Sequence, residues 1–203
     1  MNYSDSIKIV LVGTTHPGNI GAAARAIKTM GFKHLDLVSP KEFPSDEAIY
    51  RSKAAKDILE KASTYETLFE SVKDCEVVIG TSARNRKVPW PVLNPKDASK
   101  EISLAVKNNS KVGIVFGRED RGLTNEELGL CNLHVHIPTN EDYTSLNLAQ
   151  AVQIVAYEIR MNFLESENLK NDQEWDVELA SVEQTERLIE HMDELMKEVE
   201  FYD

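Results

Sequence analysis

Val112–Leu128, VGIVFGREDRGLTNEEL, decides the fold class. Val112 to Phe116 is a run of apolar residues and one glycine with no polar face, the composition of a strand covered on both sides in a parallel sheet. The run passes directly into Gly117, Arg118, Glu119, Asp120, Arg121 and Gly122, and a helix follows, opened by the capping box of Thr124 and Glu127. Strand, glycine-bearing turn and helix in that order make the repeating unit of an α/β domain, whose ligands bind at the carboxyl ends of the strands. A glycine at the strand end admits a flat ligand close to the backbone, and Arg118 and Arg121 offer guanidinium groups to phosphate. Glu119 has a plainer reading as the counter-charge of Arg118.

The same alternation extends in both directions. Lys8–Val12, His34–Val38, Val77–Thr81 and His134–Ile137 are short β-branched runs separated by helical stretches. Ile20–Met30 reads as a helix capped by Asn19 and stopped at Gly31. Leu146–Phe163 reads as a helix capped by Ser145. Its apolar residues Leu148, Ala149, Ala151, Val152, Val155, Ala156, Ile159 and Phe163 occupy more than one stripe. Either this helix is sandwiched in the core of one chain or its second face meets a twin subunit. Glu165–Ala180 is acidic and aperiodic, as a linker is, and an amphipathic helix with Ser181 and Gln184 as its capping box closes the chain. The expected organisation is a domain over 1–164, a linker over 165–180 and a terminal helix over 181–203.

Composition narrows the functional classes. The 203 residues carry 23 Lys and Arg against 34 Asp and Glu, a formal charge of −11. Residues 1–160 hold 20 bases and 20 acids, so the excess belongs wholly to the last 43 residues. A neutral body can still carry a basic patch for a polyanion, because binding follows the field at the contact surface. Cys75 and Cys131 form no CxxC pair, and inert thiols in a reducing cytoplasm are expected. No apolar run approaches the roughly 20 residues needed to cross a bilayer, and Met1–Ser6 lacks the features of a signal peptide. Membrane and secreted readings therefore fall. His134 and His136 share a strand face, yet no third ligand stands nearby, so no metal is expected.

Three further segments carry chemistry. In His16–Gly31, HPGNIGAAARAIKTMG, Gly18 and Gly21 allow tight turning and close approach, and the helix start offers amides to an anion. Arg25 stands there among Ala22, Ala23, Ala24 and Ala26, its guanidinium uncrowded. In Gly80–Pro91, GTSARNRKVPWP, Thr81 and Ser82 supply hydroxyls at a strand end. Arg84, Arg86 and Lys87 beside Trp90 suit phosphate contact with base stacking, the alternative being a solvated loop with Trp90 as a lid. In Ile137–Arg160, Asn147 sits just inside a helix, where burial would demand a partner. A dinucleotide-dependent oxidoreductase is disfavoured, since neither GxGxxG nor the ribose-binding acid is present.

Taken in order, HPGNIGAAARAIKTMG, TSAR followed by PWP, FGREDRGLTNEEL and IPTNEDYTSLNLAQAV resemble the motifs of the SPOUT superfamily of knotted methyltransferases. Within it, the chain is similar to the bacterial tRNA (cytidine/uridine-2'-O-)-methyltransferase family over Lys8–Arg160, with a weaker likeness in the last helix. The resemblance implies a mostly parallel sheet flanked by helices, closed by a C-terminal deep trefoil knot. It also implies S-adenosylmethionine seated in that knot and a homodimer whose sites are completed across the interface. The implied substrate is tRNA, methylated at the first anticodon-loop nucleotide, cytidine or uridine 32.

By the same resemblance, Thr81, Ser82, Ala83, Gly117, Ile137, Thr144, Ser145, Leu146 and Asn147 hold the cofactor, largely through backbone groups. Asn19 and Arg25 serve the catalytic step, and Arg118, Glu119, Ser145 and Asn147 complete the pocket. Arg25, Arg84, Arg86, Lys87, Arg118 and Arg121 are the RNA contacts. A guanidinium is effectively always protonated, so Arg25 is better suited to orient phosphate and hydroxyl and stabilise oxyanion charge than to act as a general base. Two features depart from the pattern. Gly13 stands where relatives commonly carry a polar residue, and the chain stops at Asp203, short of a longer C-terminal arm. The rival readings are 2'-O-methylation of rRNA by the same fold and an RNA-binding relative that transfers nothing.

Overall fold

The computed structural model describes residues 3–82, 92–166 and 182–199, in two compact units, one up to Asn168 and the other from Leu169 onward. The expectations placed on Ala83, Arg84, Arg86, Lys87, Trp90 and Ser181 lie outside the described residues. In the first unit the strands are β1 (Ile7–Val12), β2 (His34–Val38), β3 (Ser63–Tyr65), β4 (Val77–Thr81), β5 (Val92–Leu93), β6 (Val112–Phe116) and β7 (Leu133–Val135). They form one sheet in the order β3-β2-β1-β6-β4-β7-β5, with every neighbouring pair parallel.

Side-chain alternation on β1 and β6 feeds two cores. Ile7, Ile9, Leu11, Ile114 and Phe116 point to one face and pack with α1 (Pro17–Thr29), α5 (Pro95–Lys107) and α7 (Leu148–Ser166). Val10, Val12 and Val115 point to the other, under α4 (Leu68–Val72) and α6 (Asn125–Gly129). Fully burying each such side chain is worth roughly 1.5–3 kcal/mol. This is why the central strands carry no polar face. β3 and β5 have no comparable sequence signal. The first is the polar, largely exposed Ser63–Thr64–Tyr65 and the second is two residues long, and both join the sheet by extending its edges. β7 ends at Val135, short of the expected Ile137, and the last bond of its pairing with β5 is from the His136 N–H to the Leu93 carbonyl oxygen (2.9 Å).

The helix boundaries correct three local readings. α1 begins at Pro17, whose fixed φ suits the first helical position, so Asn19 lies inside the first turn and does not cap it. The cap position is His16, which makes no side-chain capping bond. Gly31, at φ +83°, does end the helix. Gly18 and Gly21 admit α2 (Asp46–Ser52), not a ligand: a Cβ on Gly21 would stand 2.2 Å from the Ala48 carbonyl oxygen. α6 carries its expected capping box, with both Thr124 and Glu127 bonds made. α7 starts two residues after the expected Leu146 and runs to Ser166, so Glu165 is helical and not linker.

On α7, Leu148, Ala149, Val152, Val155, Ala156, Ile159 and Phe163 are buried within the one chain, against α1 and α5. The core of one chain thus takes one side of the helix, while a second apolar stripe at helical spacing, Ile154, Tyr157, Met161 and Leu164, is only partly covered. In the second unit, α8 (Val182–Glu198) displays Leu188, Ile189, Met192 and Leu195 at helical spacing, all exposed. No helix among the described residues is long and apolar enough to cross a membrane.

An ion cluster pins the α4 corner to the sheet. Lys8 Nζ on β1 donates to the Ser71 carbonyl (2.6 Å) and Asp74 Oδ1 (2.8 Å), and lies 3.5 Å from Asp36 Oδ2, which also accepts from Ser71 Oγ (2.9 Å). Lys111 Nζ takes the other Asp74 oxygen at 3.1 Å. The Lys8 hydrogen bond is the main cause that lowers the Asp74 carboxyl from 3.8 to about 2. Because the folded value is the lower one, this stabilisation is complete above about pH 4 and is lost as pH falls through about 2. Asp74 is half exposed, so its worth is screened. Asp74→Asn is expected to lower the unfolding free energy by about 0.5 kcal/mol at pH 7, with the gap from the native protein closing below about pH 3 in urea titrations. A gap unchanged by acid would contradict the assignment.

Candidate functional site

The strands β6, β4 and β7 are neighbours, and at their carboxyl ends the chain opens a cleft of about 280 Å³. One wall is the turn after β6. Arg118 N–H donates to the Gly122 carbonyl (3.2 Å), and Gly122 N–H donates back to the Arg118 carbonyl (2.8 Å). A Cβ on Gly117 would lie 2.2 Å from the Gly122 carbonyl carbon and 2.3 Å from the Leu123 nitrogen, so the turn closes only over a glycine. The opposite wall comes from Ile137, Thr139, Thr144, Ser145 and Leu146, and Thr81 and Ser82 join it from β4.

Of the residues expected to hold a cofactor, Thr81, Ser82, Gly117, Ile137, Thr144, Ser145 and Leu146 all line this cleft. Asn147 does not line it and has a different role. Thr81 Oγ1 donates to the Val115 carbonyl (3.0 Å), while Ser82 N–H donates to the Val135 carbonyl (2.9 Å) and the Ser82 carbonyl lies 3.0 Å from His136 Nδ1. These bonds fix the ends of β4, β6 and β7 relative to one another. His134 is buried with Nε2 3.4 Å from the Leu128 carbonyl, and burial lowers its pKa. Both histidines therefore tie backbone together.

Glu119 joins the turn to the entry of α1. Its Oε2 accepts from the Thr15 backbone N–H and hydroxyl, both at 3.0 Å. Its Oε1 accepts from Asn19 Nδ2 (2.9 Å) and the His16 N–H (3.3 Å). Burial acts to raise this carboxyl, but the bonds from Asn19, Thr15 and His16 prevail, and its pKa lies below the ordinary value. It is an ionised group whose lone pairs are already engaged. Asn19 Oδ1 then accepts from Asn147 Nδ2 (2.9 Å), and Asn147 Oδ1 accepts from the Ala149 N–H (2.9 Å). Asn147, immediately before α7, is thus the cap that the sequence reading gave to Ser145.

Arg118 does not pair with Glu119. Its two terminal nitrogens make a bidentate pair with Glu127, each bond 2.9 Å long. Glu127 was legible only as a helix cap, and it does accept from the Thr124 N–H (2.7 Å) as well. Its second role has no local signal, since the partner stands nine residues away across a glycine turn. Gly13, at φ +60°, gives the Arg118 stem room: a Cβ there would stand 2.8 Å from Arg118 Cγ. Arg121 is exposed, 3.4 Å from Asp120. Arg25 is exposed on α1 and does not line the cleft.

The cleft thus combines apolar walls, from Phe116, Leu123, Ile137, Leu146 and Leu148, with hydroxyls and backbone polar groups, the make-up of a site for a flat polar ligand. Burial pushes the Cys75 thiol to about 11 and the Cys131 thiol to about 12, so neither is a nucleophile at neutral pH.

The SpoU rRNA methylase family model matches residues 6–157. A tRNA (cytidine/uridine/adenosine-2'-O-)-methyltransferase TrmJ of Pseudomonas aeruginosa is 43% identical over 98% of this chain and 80% of its own length. The tRNA (cytidine/uridine-2'-O-)-methyltransferase TrmJ of Escherichia coli is 44% identical over 94% of this chain and 78% of its own. Among solved structures, a probable methylase family protein from Haemophilus influenzae superposes with a TM-score of 0.76 at 41% identity, covering 98% of this chain and 82% of that one. TrmJ from Z. mobilis gives 0.72 at 31% identity, covering 97% and 82%.

The exchange of capping roles can be tested. Asn147→Ala removes the α7 cap and the partner of Asn19, and is expected to cost about 1–2 kcal/mol in denaturant unfolding. Ser145→Ala is expected to cost under about 0.5 kcal/mol. The reverse order would restore the cap to Ser145.

Proposed function

The chain belongs to the SpoU rRNA methylase family, and on that premise we propose that it transfers a methyl group from S-adenosylmethionine to a ribose 2'-hydroxyl of tRNA. We place the acceptor at the first nucleotide of the anticodon loop, cytidine or uridine 32. The observation that carries this reading is that three segments far apart in sequence, ending β4, following β6 and preceding α7, converge on one cleft. Identity of 43–44% to tRNA 2'-O-methyltransferases over nearly the whole chain favours tRNA over rRNA.

The residues present fit a nucleoside-bearing cofactor. Phe116, Leu123, Ile137, Leu146 and Leu148 supply apolar surface, and Thr81, Ser82, Thr144 and Ser145 polar groups, to one cleft whose turn closes only over Gly117. When bound, S-adenosylmethionine supplies a methyl already activated on a sulfonium. The chain's part is then to align and to exclude water. Thr81, Ser82, Gly117, Ile137, Thr144, Ser145 and Leu146 form the seat, and the Arg118–Glu127 pair braces its turn. Glu119, with its oxygens engaged, positions Asn19 and takes no proton.

Arg25 stands outside the cleft of its own chain. In this reading it serves the cleft of a second copy in a homodimer, where its fixed charge binds the phosphate beside the target ribose and stabilises negative charge developing on the 2'-oxygen. The trefoil knot belongs to the same reading. It is supported by the strand order, in which β6 inserts between β1 and β4 after the chain has already laid down β5. A tRNA substrate agrees with a cytoplasmic setting.

Arg25→Ala is expected to lower methyl transfer to tRNA transcripts by at least about 100-fold. Cofactor affinity by calorimetry and dimer mass by light scattering should stay unchanged. Near-normal turnover would refute the role of Arg25, and faster labelling of rRNA than tRNA transcripts would refute the substrate.

A further inference from the structure

We propose that the corner after α2 is an additional RNA-contact surface beside Arg25, in which Lys53 takes a phosphate and Tyr50 stacks a base of the substrate. The inference rests on the reading of the chain as a tRNA methyltransferase and extends it to residues outside all four sequence motifs.

Lys53 ends α2 at φ +50°, ψ −120°, a conformation that glycine adopts freely and L-residues rarely do. Its neighbours do not let the corner relax. Ser52 is fully buried with its hydroxyl bonded to the Ile49 carbonyl (2.8 Å), and Ala55 is buried in the core. Glycine would serve the fold better at this position, so the lysine must be accounted for by what its side chain does. That side chain does no structural work. Lys53 is exposed, has no carboxylate partner among the described residues, and holds its Nζ 3.6 Å from the centroid of the Tyr50 ring. Tyr50 is 70% exposed, so a large ring stands in solvent with a cation on one face and its other face open.

The corner lies along the Arg25 stripe of α1. A Cβ on Gly21 would meet Arg51 Cβ at 2.9 Å, and Lys28 Nζ donates to the Ala54 carbonyl at 2.7 Å. Arg25 falls about one turn from each of these, and therefore between Arg51 and Ala54, with Lys53 next in the chain. Glu47 pairs with Arg51, Asp57 with Lys28 and Glu60 with Lys56. Arg25 and Lys53 have no carboxylate partner among the described residues, and Asp46, exposed one turn before Tyr50, is the carboxylate of α2 without a partner, so two positive charges stand against one negative around an open aromatic face. That combination suits single-stranded RNA, whose phosphates need cations and whose unstacked bases need a platform. A protein partner would need a wider apolar patch than Tyr50 and Ile49 provide.

Lys53→Gly separates the fold from the function, because the two respond in opposite directions. The variant is expected to melt about 2–4 °C higher, as strain is relieved. It should bind an anticodon stem–loop about 5- to 10-fold more weakly by fluorescence anisotropy, with a salt dependence reduced by about one phosphate contact. KM for tRNA should rise in step, with kcat and cofactor affinity unchanged. Tyr50→Leu should lose about 10-fold in RNA affinity without the gain in melting temperature, and Tyr50→Phe should retain the native affinity. RNA affinity within twofold of native in both Lys53→Gly and Tyr50→Leu would overturn the proposal. A change of dimer mass in either variant would overturn it too, by making the corner a subunit contact. If the native chain methylates no tRNA, the functional reading fails on its own, and the stem–loop binding still decides the corner.

Discussion

The site depends on a single carboxylate. Glu119, on the turn after the central strand β6, accepts hydrogen bonds from Thr15, His16 and Asn19 across about 100 residues of sequence. Asn19 extends the chain of bonds to Asn147, 128 residues further on, and Asn147 caps α7. Each hydrogen bond to a charged group is worth roughly 1.5–3 kcal/mol when its alternative is an unsatisfied carboxylate. One ionised group thus sets the mutual positions of the turn, the start of α1 and the start of α7, and the cleft is the space between them.

The pair of Arg118 and Glu127 acts inside the same turn. It consumes a charge that a sequence reading would assign to RNA and uses it to hold the backbone over Gly117 and Gly122. The polar groups at the mouth of the cleft are therefore largely engaged before any ligand arrives. Such preorganisation is what an alignment-driven reaction requires, since a group already held in place pays no ordering cost at the moment of transfer. Arg25 on α1 and Lys53 at the corner after α2 stand in solvent outside the cleft, while Arg121, also exposed, lines it.

Much of this was legible in the chain and some of it was not, and the difference follows sequence distance. The central strands announce themselves because burial on both faces excludes polar residues, as in Val112–Phe116. The capping box of Thr124 and Glu127 is equally plain, being a contact three residues long. β3 and β5 gain their place from a neighbour's free edge and carry no pattern of their own. At the site, Thr81, Ser82, Gly117, Ile137 and Thr144–Leu146, which motif resemblance grouped together, all line one cleft. Partnerships were another matter. Asn19 and Ser145 looked like caps and Glu119 looked like the partner of Arg118, because local spacing shows only the nearest candidate. The actual partners, Asn147 for Asn19 and Glu127 for Arg118, become visible only when the turn folds back.

The most direct test of the cleft as a cofactor site is a crystal structure of the protein grown with S-adenosylhomocysteine. The account predicts the nucleoside lodged between the Gly117–Leu123 turn and the segment from Thr144 to Leu146, with Glu119 still bonded to Asn19. A ligand bound elsewhere on the chain, or none at a saturating concentration, would contradict it.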